Sequence, residues 1–216
     1  MQAQAWTVAA EGKDVVCLAK TGSGKTAAFL LPTMEKISRS IDAPTRAIAG
    51  QSGWLPAPVA LVLAPTRELA MQIQEQAVRF GKAHSIRSVC VFGGVPVHQQ
   101  LNSLKGGANA YPHLVVATPG RLIDLEKMNG IILSQVATLV LDEADRMLDM
   151  GFSVQLDRIV ASFARVAATT ERQTLLFSAT WWVNPAHFLY VFLFGFVFLC
   201  IPLFAGCYLR LYVVEH

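Results

Sequence analysis

A short glycine-rich segment, residues 19–26, most constrains what this chain can fold into. It follows the apolar run Val15–Leu18 and precedes a helical pattern that begins near Lys25. Gly22 and Gly24 can adopt positive φ angles, which turn successive backbone N–H groups toward one point. The N-terminus of the following helix adds its own free N–H groups and the positive end of its dipole. The segment therefore predicts a phosphate-binding loop between a strand and a helix.

Phosphate binding would give each residue of this loop a role. We expect nucleotide contacts from Thr21, Gly22, Ser23, Gly24, Lys25 and Thr26. Lys25 would reach the β- and γ-phosphates, and Thr26 would contact a bound Mg²⁺. The strict phosphate-loop pattern opens with glycine where this chain has Ala19, so only its last three residues match. The alternative is a glycine-rich turn that joins a strand to a helix and binds nothing.

Composition indicates one good-sized domain followed by a tail of different character. The 216 residues are 53% hydrophobic with a net charge of +3, which allows a well-filled core and suits a polyanionic partner. Residues 188–209 contain no charged side chain. We therefore expect a domain over residues 1–181 and a divergent hydrophobic tail over residues 182–216. The four cysteines lack metal-like spacing, so no zinc site is predicted.

Short β-branched runs alternate with helical patterns along the domain, which is typical of a parallel sheet covered on both faces. Strands are predicted at residues 14–18, 59–64, 87–92, 114–117, 138–142 and 174–178. Helices are predicted at residues 25–38, 66–81, 95–104, 119–127, 143–148 and 153–164. Residues 40–58, rich in proline and glycine, are predicted to form a long surface loop. The expected fold is α/β, a parallel sheet flanked by helices, with an additional C-terminal apolar helix.

A second chemical feature is a group of carboxylates at the end of the apolar strand 138–142. Ligand sites of parallel sheets lie at the carboxyl ends of the strands, so Asp142 would lie beside the phosphate loop and help to hold Mg²⁺. Glu143 follows directly and is placed to orient or deprotonate an attacking water. The alternative is that Asp142, Glu143 and Asp145 only favour the first turn of the next helix.

These residues resemble the DEAD-box ATP-dependent RNA helicases, whose family name is spelled by Asp142-Glu143-Ala144-Asp145. Residues 19–26 look like that family's own form of the phosphate loop, which accounts for Ala19. Further segments resemble the family's motifs in the family's order: Pro65-Thr66-Arg67-Glu68-Leu69-Ala70, Gly93-Gly94, Thr118-Pro119-Gly120-Arg121 and Ser178-Ala179-Thr180. The resemblance extends from about Gln2 to Trp181.

The resemblance implies a RecA-like domain that binds ATP with Mg²⁺ and grips RNA along its sugar-phosphate backbone, irrespective of sequence. It implies that Gln2 reads adenine, that Lys25, Asp142 and Glu143 serve catalysis, and that Asp145, Ser178 and Thr180 couple nucleotide state to RNA binding. It implies RNA contacts from Pro65, Thr66, Arg67, Gly93, Gly94, Thr118, Pro119, Gly120 and Arg121. Local sequence alone supports simpler roles, because Thr66 and Thr118 are also natural helix N-caps and Ser178 is a small polar residue at a strand end.

The family works with two RecA-like domains, and nothing in these residues resembles the second. That domain supplies an arginine finger worth roughly 10³–10⁵ in rate, so we expect this chain alone to hydrolyse ATP very slowly. The apolar residues 188–209 are long enough to span a bilayer, or else they are a splicing or frameshift product without a selected role. The alternative is a non-catalytic fragment that binds nucleotide and RNA and is membrane-associated if the tail inserts. The location is cytoplasmic or nuclear if the chain is soluble, and membrane-associated if the tail inserts.

Overall fold

The computed structural model describes residues 2–20, 22–39, 47–50, 53–106, 111–163, 172–179 and 212–215. The strands in these residues are β1 (Val15–Leu18), β2 (Ala47–Gly50), β3 (Gly53–Pro56), β4 (Ala60–Leu63), β5 (Ser88–Val91), β6 (Leu114–Ala117), β7 (Thr138–Leu141), β8 (Gln173–Ser178) and β9 (Tyr212–Glu215). The α-helices are α1 (Gln2–Ala10), α2 (Lys25–Arg39), α3 (Arg67–Gly81), α4 (Val97–Lys105), α5 (Pro119–Lys127), α6 (Ala144–Asp149) and α7 (Ser153–Phe163). A short 3₁₀ helix, Lys82–His84, follows α3.

The main sheet has the strand order β5-β6-β4-β7-β8-β1-β9, and every pair of neighbouring strands in it is parallel. Side chains alternate between its two faces, as the pleat of a strand requires. On one face Val62 of β4 packs with α1, α2 and α3. On the other face its neighbours Leu61 and Leu63 pack with α4, α5, α6 and α7. The sheet is therefore buried between two helical layers, which explains why its strands are apolar on both sides.

The α/β prediction is confirmed, and the structure contains all six predicted strands and all six predicted helices, with boundaries within two residues. Helix α1 was not predicted. Its sequence contains no charged residue, so it shows no polar face opposite an apolar one. Small side chains help to fix its position, because Ala5 and Ala9, one turn apart, are both buried in the core.

The predicted long surface loop over residues 40–58 contains two strands that were not predicted. β2 and β3 form a separate antiparallel hairpin, with Gly50 opposite Gly53 next to the connection. Glycines beside a two-residue connection favour a tight hairpin, and this local signal outweighs the turn-forming composition of the segment as a whole. The carbonyl of Pro56 accepts a bond from the Ile132 N–H at 2.9 Å, which ties the hairpin to the domain.

The C-terminal residues Tyr212–Glu215 form a strand, β9. Strand β9 was not predicted, and it pairs in parallel with β1 at the edge of the sheet. Tyrosine and valine favour strands, and pairing covers an edge that β1 would otherwise expose. The predicted apolar helix over 188–209 lies outside the described residues. Within the part of the chain that the structure describes, no helix is both long and apolar enough to cross a membrane.

Candidate nucleotide and nucleic-acid site

Backbone hydrogen bonds bring the predicted motifs to one edge of the sheet. The Ala19 N–H donates to the Ser178 carbonyl at 2.9 Å, which joins the start of the phosphate loop to the end of β8. The Asp142 N–H donates to the Leu63 carbonyl at 3.0 Å, just past the ends of β7 and β4. The Thr118 N–H donates to the Val91 carbonyl at 3.0 Å. This is the carboxyl edge, where parallel sheets bind their ligands.

The phosphate loop has the backbone shape that the sequence predicted. Gly22 and Gly24 have φ angles of 80° and 85°, in the region that favours glycine. The Ser23 hydroxyl donates to the Lys20 carbonyl at 2.7 Å and fixes the turn. A Cβ placed on Gly22 would meet no atom within 4 Å, so the surface above this turn is open. Thr21 lies outside the described residues.

Lys25, the first residue of α2, is buried. Its side chain is 7% exposed, and its Nζ forms no hydrogen bond with any described part of the chain. A buried ammonium without a hydrogen bond is costly, and an anionic ligand removes that cost. Lys25 therefore fits the phosphates of a nucleotide, and half-buried Thr26 beside it supplies a hydroxyl that suits Mg²⁺.

Asp142 is the buried carboxylate of the site, at 3% exposure. Burial raises its pKa to about 6; the nearby Lys25 ammonium lowers the pKa, whereas the negative charges of Glu143 and Asp145 raise it. Its Oδ1 also accepts the Glu143 N–H at 3.0 Å, which favours the ionised form. A divalent cation would favour that form further. No group of three or more metal-binding side chains occurs in the described ranges.

The raised pKa of Asp142 gives a stability prediction for the protein without nucleotide or metal. The folded pKa of about 6 exceeds the ordinary 3.8, so the folded state holds this proton more tightly than the unfolded chain does. We expect the free energy of unfolding to fall as pH rises from about 4 to 6, by up to about 3 kcal/mol at about 1.4 kcal/mol per pKa unit. Asp142→Asn should remove this fall and stabilise the protein at pH 7.

Urea unfolding of both proteins at several pH values measures this difference. The exposed Asp149 at the end of α6 provides the matched control, because Asp149→Asn makes the same chemical change away from the buried site. A wild-type pH profile that Asp142→Asn leaves unchanged would contradict the prediction.

Glu143 adopts a left-handed backbone conformation, with a φ of 52°. A glutamate in this region costs free energy, and such strain tends to collect at functional sites. Its side chain is 16% exposed and pairs with Arg146 at 3.2 Å. The conformation places Glu143 at the turn between Asp142 and α6, where its carboxylate pairs with Arg146 of the helix.

Asp145 links the acidic motif to the end of β8. Its Oδ2 accepts the Ala179 N–H at 3.1 Å, and its Oδ1 accepts the Arg146 N–H at 3.0 Å. Ser178 beside Ala179 is fully buried. The expected contact between these two motifs is therefore present, whereas its coupling role stays a prediction. Thr180 lies outside the described residues.

The N-termini of α3 and α5 carry several of the residues predicted to contact RNA. The Thr66 hydroxyl accepts the Leu69 N–H at 3.3 Å and caps α3, with Pro65 buried before it. Thr118 occupies the N-cap position of α5, but its side chain makes no capping bond. Pro119 is the first residue of that helix, and Gly120 is exposed with no atom within 4 Å of an added Cβ. The first turn of α5 is thus open to a ligand.

Arg67 and Arg121, both predicted to contact RNA, have different surroundings. Arg67 is exposed, and its guanidinium lies over the Phe92 ring at 4.8 Å from the centroid. Gly93 and Gly94, next to Phe92, are exposed, and a Cβ on Gly94 would lie 3.9 Å from Arg67 Nη1. Arg121 is instead buried and bonded to the protein. Nothing in the sequence indicates that Phe92 supports Arg67, because the two residues are far apart along the chain.

Gln2 is the first residue of α1. The other end of this helix is held by Gln173, whose Nε2 donates to the Ala9 carbonyl at 2.7 Å and to the Lys13 carbonyl at 2.9 Å. Sequence reasoning missed Gln173 because it lies far from α1 along the chain. Adenine recognition by Gln2 stays a prediction.

The parallel sheet, its two helical layers and the loop between β1 and α2 define a RecA-like α/β domain. A sequence profile of the DEAD/DEAH box helicase family matches residues 1–188. The chain belongs to this family.

Among its relatives, this chain is 48% identical over 181 residues to DEAD-box ATP-dependent RNA helicase 14 of Arabidopsis thaliana, covering 84% of this chain and 26% of the relative. It is 50% identical over 181 residues to DEAD-box ATP-dependent RNA helicase 40 of Oryza sativa subsp. japonica, covering 84% of this chain and 20% of the relative. The chain therefore spans about a quarter or less of the length of these relatives.

Solved structures show the same fold. The crystal structure of a hypothetical ATP-dependent RNA helicase from Sulfolobus tokodaii is similar with a TM-score of 0.71 and 33% identity, covering 90% of this chain and 49% of the other. The yeast DEAD-box splicing factor Prp28 is similar with a TM-score of 0.70 and 36% identity, covering 82% of this chain and 38% of the other.

Proposed function

We propose that this chain is the ATP-binding and RNA-binding N-terminal domain of a DEAD-box RNA helicase, with a boundary near residue 181. In the whole enzyme, ATP hydrolysis would drive the unwinding or remodelling of RNA. The observation that carries the proposal is the buried Lys25 Nζ, which has no hydrogen-bond partner in the described residues and lies near the buried Asp142. Such a pair suits a phosphate and the Mg²⁺ that accompanies it.

Each residue of the site then has a proposed task. Bound Mg·ATP supplies the phosphoryl group and the divalent charge that stabilises its transfer. The Gly22 and Gly24 turns present backbone N–H groups to the phosphates, and Lys25 donates to them. Asp142 with Thr26 would hold the cation. Gln2 would select adenine, with Thr21 and Ser23 completing the loop.

Glu143 is the residue proposed to accept the proton that the attacking water loses. Its carboxylate follows the metal-binding Asp142 by one residue and is paired with Arg146 at the surface. The left-handed backbone turns this residue out of the strand direction without making it part of α6. We therefore propose Glu143 as the group that orients the water and accepts its proton.

RNA would bind across the N-termini of α3 and α5 and over the glycines between them. Helix N-termini and exposed backbone N–H groups contact phosphates without reading bases. Pro65, Thr66, Arg67, Gly93, Gly94, Thr118, Pro119 and Gly120 form this proposed surface, and the buried Arg121 belongs to it from behind. Asp145 accepts a hydrogen bond from Ala179, which lies between Ser178 and Thr180. These residues would couple the state of the bound nucleotide to RNA binding.

Arg67→Ala tests the RNA part of this proposal. The Arg67 guanidinium is exposed and held over Phe92, so we expect its loss to weaken binding of single-stranded RNA by a similar factor for all sequences. The slope of log affinity against log salt should become shallower by about 0.7, the value for one phosphate contact on a single strand. Fluorescence anisotropy with two RNAs of unrelated sequence, over a salt series, measures both quantities.

Arg79, exposed in the last turn of α3, provides the matched control. Arg79→Ala removes the same charge from the same helix but lies far from its N-terminus, so it should leave the slope nearly unchanged. A loss confined to one RNA sequence would mean that Arg67 reads bases. Absence of RNA binding by the wild-type chain, with or without Mg·ATP, would refute the RNA-binding function.

A further inference from the structure

We propose that Gln100 and Arg121 form a clamp that holds residues 92–95, here called the glycine loop, in the conformation that accepts an RNA backbone. Arg121 would thus act through the loop and would not itself contact RNA. The inference rests on the proposed RNA-binding function and adds two positioning residues to it. Gln100 carried no signal in the sequence, since a glutamine on a helix is usually exposed.

The clamp bonds both ends of the glycine loop. Gln100 Nε2 donates to the Phe92 carbonyl at 3.1 Å, before the two glycines. Arg121 Nη2 donates to the Val95 carbonyl at 2.9 Å, after them. Arg121 Nη1 donates to Gln100 Oε1 at 2.7 Å and closes the arrangement. Side chains from α4 and α5 thereby fix a loop that belongs to neither helix.

Burial indicates that Arg121 acts as a positioning residue and not as a surface cation. Gln100 is 6% exposed and Arg121 is 9% exposed. The Arg121 Nε is also buried and has no hydrogen-bond partner in the described residues. Its two bonded nitrogens face neutral oxygens, and no carboxylate of the described ranges forms an ion pair with it. Burial therefore leaves little of this guanidinium accessible to an RNA phosphate.

The glycine loop needs such support. Gly93 and Gly94 are exposed, and Gly94 has a φ of 87°, so the loop gains little from side-chain packing of its own. Glycines also lose more conformational entropy than other residues when they become ordered. Phe92 at the start of the loop lies beneath Arg67. Fixing the Phe92 carbonyl therefore positions both the loop backbone and the ring that supports Arg67.

Three variants distinguish a clamp from a contact: Arg121→Ala, Arg121→Lys and Gln100→Met. Lysine keeps the positive charge but lacks the planar fork that bonds two acceptors at once, and methionine keeps the size of glutamine without its hydrogen bonds. We expect all three to weaken RNA binding by roughly tenfold or more. Each variant removes at least one hydrogen bond of the clamp, and the bonds from the Arg121 guanidinium are made by a charged group. Lysine should do no better than alanine. Mg·ATP affinity should stay at the wild-type value, which also shows that each variant is folded.

The matched control is Gln99→Met, which makes the same change at the exposed neighbour on α4 and should leave RNA affinity unchanged. The double variant Gln100→Met with Arg121→Ala should bind RNA no more weakly than Arg121→Ala alone, since the two residues act as one unit. If Arg121→Lys retains affinity while Arg121→Ala reduces the salt slope, Arg121 contacts phosphate directly and the clamp is wrong.

Amide hydrogen exchange tests the clamp without RNA. In Gln100→Met the amides of residues 93–95 should exchange at least roughly tenfold faster than in the wild type, with α3 and α5 otherwise protected as before. Unchanged exchange would overturn the clamp even if RNA affinity fell. If exchange rises as expected but the wild-type chain binds no RNA, the clamp stands and the proposed function fails.

Discussion

Lys25→Ala is expected to weaken Mg·ATP binding by at least roughly 100-fold while leaving the fold intact. The Lys25 ammonium is buried, makes no hydrogen bond in the described residues and is placed to donate to phosphate oxygens. Hydrogen bonds to charged groups contribute about 1.5–3 kcal/mol each, so loss of one or two of them accounts for this factor. The variant shortens a side chain at the first residue of α2, and alanine is a favourable helix residue there.

Thermal unfolding with and without nucleotide measures this effect together with folding. A ligand at 100 times its Kd stabilises a protein by about 2.7 kcal/mol, so Mg·ATP should raise the wild-type Tm clearly, whereas a variant that binds 100-fold more weakly gains only about 0.4 kcal/mol at the same concentration. The measurement belongs at pH 8, above the pKa of about 6 at Asp142, because loss of the Lys25 charge would raise that pKa further. Equal nucleotide affinity in both proteins would remove Lys25 from the site.

Lys20 provides the control for charge. It lies near the start of the phosphate loop, is exposed, and contributes its backbone carbonyl to the Ser23 turn. Lys20→Ala removes one positive charge at nearly the same place along the chain. Its Mg·ATP affinity should stay within a few-fold of the wild-type value, so a large loss in both variants would indicate a general effect of net charge.

Glu143→Gln is expected to keep Mg·ATP affinity and to reduce hydrolysis by roughly 100-fold or more, the usual contribution of a general base. The amide keeps the size of the side chain and can still hydrogen-bond a water, but it cannot take the proton. It also keeps the left-handed backbone, because glutamine and glutamate face the same steric cost there. Hydrolysis should be followed in a single turnover with protein in excess over ATP, so that the rate reports the chemical step.

The control for Glu143 is an exposed glutamate on α3. Glu75→Gln makes the same chemical change away from the carboxyl edge of the sheet and should hydrolyse ATP at the wild-type rate. Unchanged single-turnover hydrolysis in Glu143→Gln would exclude this residue as the base. Lost ATP affinity would instead assign Glu143 to the binding of the nucleotide or its metal.

The two buried charges of the site explain why function and stability oppose each other here. Asp142 and Lys25 are both removed from water, and burial raises the pKa of Asp142 to about 6. A domain selected for stability alone would place apolar side chains at these positions. We expect Mg·ATP to recover much of this cost when it binds, because phosphate and Mg²⁺ supply the opposite charges.

Local sequence was sufficient for the fold class and for the nucleotide edge. Six strands and six helices follow from the period of the apolar residues, which depends only on neighbours along the chain. The turn at Gly22 and Gly24 follows from the freedom of glycine, and the position of Asp142 follows from its place at the end of an apolar strand. These features need no knowledge of what packs against them. The hairpin β2–β3 and helix α1 escaped prediction because their local signals are weak or mixed.

Tertiary structure alone decided which of the polar residues face solvent and which are held by the protein. Arg67 and Arg121 look alike in sequence, yet one lies over Phe92 at the surface and the other is buried between Gln100 and Val95. The raised pKa of Asp142 and the bond from Ala179 to Asp145 likewise join residues or surroundings that the chain order does not reveal. Burial and hydrogen-bond partners depend on contacts between segments far apart in sequence, so these properties emerge only when the sheet is assembled.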